Sequence, residues 1–236
     1  MSFTLLFDLD GTLLDTDPLH FQAYLGLLEE HARPAIDFAL YRTRIMGFGH
    51  AEIFAMLFPD RDPSSHAELA EHKEARFRAL LRDTAVDPRP GLVELLDWAD
   101  ARGIRCGVVT NAPRENAMLM LDALRLAERF EAAVFGEELS HPKPHPMPYL
   151  TGLAKLGGHA DRALAFEDSL SGVRSASGAQ IYTVGVQSSL SAEALREAGA
   201  SHTIDDFRDD LLWSELRRRT DEAANEAANE AARRVS

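Results

Sequence analysis

The sequence predicts an α/β protein: a doubly wound parallel sheet with a small all-helical domain inserted after the first strand. Three observations predict it. From about residue 92 onward, short apolar runs alternate with stretches of helical period, the pattern of strands joined by helical crossovers. Between about 18 and 86 the chain shows helical patterns and no credible strand. A first apolar run, Leu5-Leu6-Phe7, precedes that helical stretch and waits for the chain to return.

Leu5 to Phe7 read as the end of a buried strand. Asp15-Thr16-Asp17-Pro18 then suits a hinge and a helix start, since Thr16 or Asp17 can cap and Pro18 fits the first turn. Helices are expected over Leu19 to His31 and about 36–46, 50–58 and 64–84. Asp87-Pro88-Arg89-Pro90-Gly91 is a proline-stiffened return linker. Beyond it come a helix over 92–102 ending at Gly103, a strand from Ile104 to Thr110, a helix over 114–126 and a strand near 132–135. A proline-rich loop, His141 to Pro148, leads to a helix over 147–156. Ala163 to Phe166 is a strand, 170–177 a helix, Ile181 to Val186 a strand, 191–198 a short helix, and 202–204 a last strand. The repeat Glu222-Ala-Ala-Asn, continued at 226 and 230, is alanine-rich and lacks core-forming residues, so it reads as a solvated helix.

The formal net charge is −13, which argues against a general nucleic-acid binder. The single cysteine, Cys106, lies in an apolar run; it excludes an intrachain disulfide and fits a reducing compartment. No secretory signal and no bilayer-length apolar segment is visible. A soluble, cytoplasmic protein, monomeric or weakly dimeric, is the expectation. Only three lysines occur: Lys73, Lys143 and Lys155.

Asp8 and Asp10 stand at i and i+2 directly after the first strand and before Gly11. Extended backbone points both to one side, at the strand end where open α/β sheets bind ligands. Close carboxylates repel unless a cation or a proton intervenes. The glycine spacing is not that of an EF-hand. Three more groups fall at strand ends: Thr110-Asn111, Lys143, and Glu167-Asp168. Each alone suits a helix cap, a turn or a solvated loop; all four on one sheet edge argue for chemistry. A carboxylate can attack phosphorus. A second carboxylate can protonate the leaving oxygen and then activate water. Thr110, backbone N–H groups and Lys143 can hold and neutralise phosphoryl oxygens. Asp8, Asp168 and the carbonyl of Asp10 can supply oxygen ligands to Mg²⁺.

The ordered set resembles the haloacid dehalogenase-like hydrolase superfamily over most of the chain. Phe7-Asp8-Leu9-Asp10-Gly11-Thr12 is similar to its first motif, Thr110-Asn111 to its second, Lys143-Pro144 to its third and Glu167-Asp168 to its fourth. The resemblance implies a Rossmann-like core, Asp8 as nucleophile, Asp10 as general acid/base, Thr110 and Asn111 on the phosphoryl group, and Lys143 neutralising it. It implies Mg²⁺ held by Asp8, Asp10, Glu167 and Asp168. The helical insertion resembles the cap of the β-phosphoglucomutase and phosphoglycolate phosphatase group. The implied division is a catalytic core over 1–16 and 88–218, a cap over 17–87 and a low-complexity helical or disordered tail over 219–236.

The expected activity is Mg²⁺-dependent hydrolysis of a small phosphorylated metabolite, a sugar phosphate or a phosphoglycolate-like ester, through an aspartyl-phosphate. Asp10 and the Glu167-Asp168 pair argue against the dehalogenase branch, and Lys73 is the only cap lysine that could serve the phosphonatase branch. A sugar-phosphate mutase is the alternative: the stretch from Asp15 to His20 is similar to the mutase hinge, and His20 is expected to face the site. The mutases' Lys-Gly-x-x-Arg is replaced by Met46-Gly47-Phe48-Gly49-His50, with His50 a weak substitute for the missing cations and Gly47 in a turn near substrate. A phospho-receiver domain, of another class, explains neither the insertion nor Asp10. Arg42, Arg44, Arg76 and Arg78 read as solvated helix faces. His141 and His145 read as loop residues, and Ser171-Gly172 as the start of a helix.

Overall fold

The structure, a computed structural model, describes residues 3–46 and 49–235, with 224–235 as backbone. Six parallel strands form one sheet: β1 (Thr4–Phe7), β2 (Arg105–Thr110), β3 (Ala132–Phe135), β4 (Ala163–Glu167), β5 (Tyr182–Val186) and β6 (His202–Ile204), in the order β3-β2-β1-β4-β5-β6. The chain therefore builds outward from β1 to β3 and then restarts at β4 on the other side of β1. That reversal is the topological switch point, where a crevice opens beyond the strands' carboxyl ends.

Both faces of the sheet are covered, which explains the continuous apolar runs. Leu5, Phe7, Val108, Leu164 and Phe166 enter one cluster, and Leu6, Val109 and Ala165 the other, alternating as the pleat demands. Phe7 stacks on Phe166 with ring centroids 4.8 Å apart. The register pairs Phe7 with both Val108 and Phe166. Asp8 therefore leaves β1 beside Glu167, and Asp8 N–H donates to the Phe166 carbonyl at 2.9 Å.

Between β1 and β2 lie α1 (Asp17–Glu30), α2 (Phe38–Arg44), α3 (His50–Leu57), α4 (His66–Asp83) and α5 (Leu92–Asp100). The first four share an apolar cluster that includes Tyr24, Leu27, Tyr41, Ile53, Phe54, Phe58 and Leu69. Leu19 and Ala23 of α1 and Phe77 and Leu81 of α4 belong instead to the main core, so these two helices hold the insertion against the sheet domain. The return linker is also fastened: Arg89 N–H donates to the Leu13 carbonyl at 2.7 Å, and its guanidinium to the Gly11 carbonyl at 2.6 Å.

The remaining crossovers are α6 (Arg114–Ala123), α7 (Met147–Leu156), α8 (Leu170–Gly178) and α9 (Ala192–Ala198), and α10 (Asp210–Val235) closes the chain. The expected strands and helices recur within a few residues. At the C-terminus α10 runs through 219 as one helix without a break, and Ala223, inside the alanine-rich stretch, lies in the main core with Leu212 and Leu216. Ala223 extends a stripe of helical spacing that the alanine-rich repeat obscured. Among the described residues no helix is long and apolar enough to cross a membrane.

Candidate active site

Asp8, Thr110, Lys143, Glu167 and Asp168 are all buried at the carboxyl edge of the sheet. Lys143 reaches in from the loop before α7 and spends its three N–H donors on Asp8 Oδ1 at 2.6 Å, Glu167 Oε1 at 2.6 Å and the Val109 carbonyl at 2.7 Å. An ammonium has no further donor. The sequence suggests that Lys143 neutralises a phosphoryl group directly; the geometry gives it a prior duty, holding the Asp8 carboxylate. Burial opposes its charge, but Asp8 and Glu167 outweigh burial and keep its pKa above the ordinary value.

Glu167 is fully buried. Its Oε1 also accepts from the Tyr149 hydroxyl at 2.8 Å, and its Oε2 from Ser169 Oγ at 3.2 Å. Ser169, two residues before the expected Ser171, caps α8 by accepting from Gly172 N–H at 3.0 Å. A Cβ on Gly172 would lie 1.9 Å from the Glu167 carboxyl, so the first turn of α8 can approach only as glycine. Gly11 has φ +83°, and a Cβ there would meet Asp168 Oδ2 at 2.0 Å. Two glycines thus let backbone close on the two acids.

One oxygen each of Asp8, Glu167 and Asp168 lie within 4.8 Å of one another. Burial and mutual repulsion leave this group short of positive charge. Burial lifts Asp8 to about 7, Lys143 opposing and Glu167 adding to the rise. Burial, then Asp8 and Glu167, raise Asp168 well above the carboxylate range. An all-oxygen, electron-rich donor set suits a hard divalent cation such as Mg²⁺. Asp10 stands outside this trio: its side chain turns toward the helical insertion, so any share in the metal falls to its backbone. Asp168 Oδ2 accepts from the Ser188 hydroxyl at 2.6 Å.

Asp10 Oδ2 lies 2.8 Å from His20 Nε2, and His20 Nδ1 lies 2.6 Å from Lys73 Nζ. An ammonium only donates. His20 Nδ1 therefore accepts, and Nε2–H donates to Asp10. The ring is fixed by stacking on Phe77, with centroids 4.0 Å apart and planes 3° from parallel. Lys73 continues to Glu74 Oε1 at 3.0 Å. Burial pushes the Lys73 ammonium below its ordinary pKa although Glu74 pulls the other way. Burial works against the Glu74 anion, but a hydrogen bond from His50 and the charge of Lys73 prevail and keep its carboxyl well below the ordinary range.

The other expected residues fall as follows. Thr110 Oγ1 accepts from Ala112 N–H at 3.0 Å, leaving its hydroxyl proton for a ligand. Asn111 is given over to the Lys143 peptide: Oδ1 accepts from its N–H and Nδ2 donates to its carbonyl, both at 3.2 Å. It positions the lysine loop instead of presenting a free amide to phosphate. His50 faces Glu74 Oε1 at 3.3 Å and is half exposed. Gly47 lies outside the described residues. His141 and His145 stack at 4.7 Å and stay in the loop.

One expectation on α4 is corrected: Arg78 is buried, not solvated, and donates to Asn116 Oδ1 at 3.0 Å. Lys73, outside the expected site residues, reaches His20 and lines the cavity. The signal was available: Leu69, Lys73, Phe77 and Leu81 stand four residues apart on the buried stripe of α4, and a charge at such a position needs a partner. Asn116, Tyr149 and Ser188 gave no comparable sign, because their partners come from distant segments.

The family model for haloacid dehalogenase-like hydrolases matches residues 5–186. A phosphorylated carbohydrates phosphatase of Thermotoga maritima is 35% identical over 202 residues, covering 83% of this chain and 90% of that protein. A phosphoglycolate phosphatase of Rhodospirillum rubrum is 34% identical over 215 residues, 88% of each chain. The crystal structure of CbbY from Rhodobacter sphaeroides in complex with phosphate superposes with a TM-score of 0.77 at 30% identity, covering 88% of this chain and 95% of that one. With its switch-point acids, its buried lysine and these matches, the chain belongs to the haloacid dehalogenase-like hydrolase family.

Proposed function

We propose that this chain is a phosphoric monoester hydrolase acting on a small phosphorylated metabolite through an aspartyl-phosphate at Asp8. The observation that carries the reading is the division of labour between two carboxylates two residues apart. Asp8 Oδ1 is held by Lys143, which leaves Oδ2 to attack phosphorus. Asp10 is held by His20, on the side of the large cavity between helices and sheet. In the first step a bond forms between Asp8 Oδ2 and phosphorus, the phosphorus–alkoxide bond breaks, and Asp10 delivers a proton to the departing oxygen. In the second, Asp10 takes a proton from water as that water attacks phosphorus. The acyl-phosphate bond breaks, releasing inorganic phosphate and restoring Asp8.

Asp8, Glu167 and Asp168 would hold Mg²⁺, with the Asp10 carbonyl as a further oxygen. When bound, the ion offsets the charge of carboxylates and phosphoryl oxygens that must share the site. Thr110 is suited to donate to a phosphoryl oxygen. Lys143 keeps Asp8 oriented, and Asn111 keeps Lys143 in reach. His20 fixes the proton-bearing carboxyl of Asp10 and, through Lys73, ties it to α4. The single buried cysteine fits a reducing compartment, so the cytoplasm is the proposed location. The test is Asp8→Asn, which removes the nucleophilic oxygen at constant size. Phosphate release falls by at least about 10³-fold, with an unchanged circular dichroism spectrum. Undiminished release would refute the reading.

A further inference from the structure

The cavity above Asp10 has a volume of about 750 Å³. Its far wall, built by the helical insertion, presents rings and aliphatic side chains such as Tyr24, Tyr41, Ile45 and Ile53. Two carboxylates interrupt it: Asp17, which accepts from the Tyr41 hydroxyl at 2.9 Å, and Glu74. Glu74 lines the cavity and is only 5% exposed.

Glu74 is fixed from three sides. Oε1 accepts from Lys73 Nζ at 3.0 Å and meets His50 Nε2 at 3.3 Å. Oε2 accepts from Asn116 Nδ2 at 2.7 Å. Asn116, on α6, is braced in turn by Arg78, which also binds Glu71 at 2.6 Å. The carboxylate therefore cannot swing aside. With room for about four hydrogen bonds and three partners engaged, it keeps acceptor capacity for a ligand in the cavity it lines.

The file Asp10–His20–Lys73–Glu74 is continuous, each member within hydrogen-bond reach of the next. It leads from the group that protonates the leaving oxygen to Glu74, so Glu74 lies on the side where the leaving alcohol must sit. Lys73 offers that alcohol little. It is engaged by His20 and Glu74 and lies 4.9 Å above the Tyr24 ring. Arg42, the other cation at the cavity, donates to the Ser189 carbonyl at 3.1 Å. A fixed anion in this wall accepts from hydroxyls and repels a second anion.

We propose that Glu74 determines specificity, selecting esters whose leaving alcohol is uncharged and carries hydroxyl donors, as in a polyol or sugar. It discriminates against alcohols that bear a carboxylate or a second phosphate. The inference rests on the phosphatase reading above.

The test compares kcat/KM for wild type and Glu74→Gln on hexose and pentose monophosphates, phosphoglycolate, a sugar bisphosphate and p-nitrophenyl phosphate. Wild type favours the monophosphates over phosphoglycolate and the bisphosphate by at least tenfold. Glu74→Gln narrows that ratio tenfold or more, through a higher KM for the sugars and a lower one for the anionic alcohols. A ratio of competing substrates cancels any general loss of activity. Wild-type preference for phosphoglycolate or the bisphosphate overturns the proposal, as does an unaltered ratio in the variant. Should Glu74→Gln fail to fold, Glu74→Asp, which draws the anion back by one methylene, must narrow the ratio in the same direction. If no ester is turned over, p-nitrophenyl phosphate included, the phosphatase reading falls and this inference falls with it.

Discussion

Lys143 holds the site together as one residue. Among the described residues it is the one cation paired with Asp8 and Glu167, and each of its three N–H donors is used. Removing one member of a buried charge network costs about 3–5 kcal/mol, because the partners are left uncompensated. Lys143→Met is therefore expected to lower stability by about that amount and to abolish activity, measured by urea denaturation and phosphate release. A variant as stable as wild type would show that the three carboxylates do not depend on the lysine. The lysine's place was legible, since a lone Lys between prolines followed a predicted strand on the same edge as the acids. Its bonding was not. Only the register of β1 against β4, which sets Asp8 beside Glu167, makes one ammonium serve both.

Among the elements, α4 carries the most that the sequence concealed. Its buried stripe runs through Leu69, Lys73, Glu74, Phe77, Arg78 and Leu81. The apolar members could be read from spacing. The charged members look like a solvated face until α1 and α6 supply His20 and Asn116. Glu74 gives the helix a pH signature. Its pKa in the folded protein lies below the unfolded value of about 4.5, so the stability it contributes is present above that pH and is lost as pH falls through the folded value. Melting temperatures of wild type and Glu74→Gln should converge as pH falls below about 4.5, and parallel curves would contradict the ion pair. The first turn of α8 is a second case. Gly172→Ala places a Cβ 1.9 Å from the Glu167 carboxyl and should displace Glu167 from Lys143. A loss of activity of at least about tenfold is expected; full activity in that variant would mean the turn has slack that the contacts do not show.

For the whole molecule, the decisive feature is a sheet that begins at its centre. β1 is laid down first, the helical insertion follows, and β2 through β6 are added on either side. Two carboxylates on β1's end thereby meet one acid pair from β4 and a lysine from the loop after β3. The alternation of apolar runs and helices made this architecture readable, whereas the repeat at the end of α10 hides the buried Ala223 in a run of alanines. Without a cation the gathered acids weaken the fold as pH rises. Burial raises Asp8 to about 7, so its protonated form supports the folded state below the unfolded value of 3.8, and that support is lost as pH rises through about 7. A divalent cation needs the ionised carboxylates. Mg²⁺ should therefore raise the melting temperature more at about pH 8 than at about pH 5.5, and an equal or absent shift would argue against the acid trio as its site.

The central claim is that Asp8 itself becomes phosphorylated. The most direct measurement is to quench the enzyme in acid during turnover of a sugar monophosphate, reduce with borohydride, and sequence the peptide spanning Phe7 to Thr12 by mass spectrometry. Reduction converts an aspartyl-phosphate to homoserine. The account predicts homoserine at position 8 in the wild type and none in Asp8→Asn. Steady phosphate release with position 8 unmodified, or with the label on another residue, would contradict it.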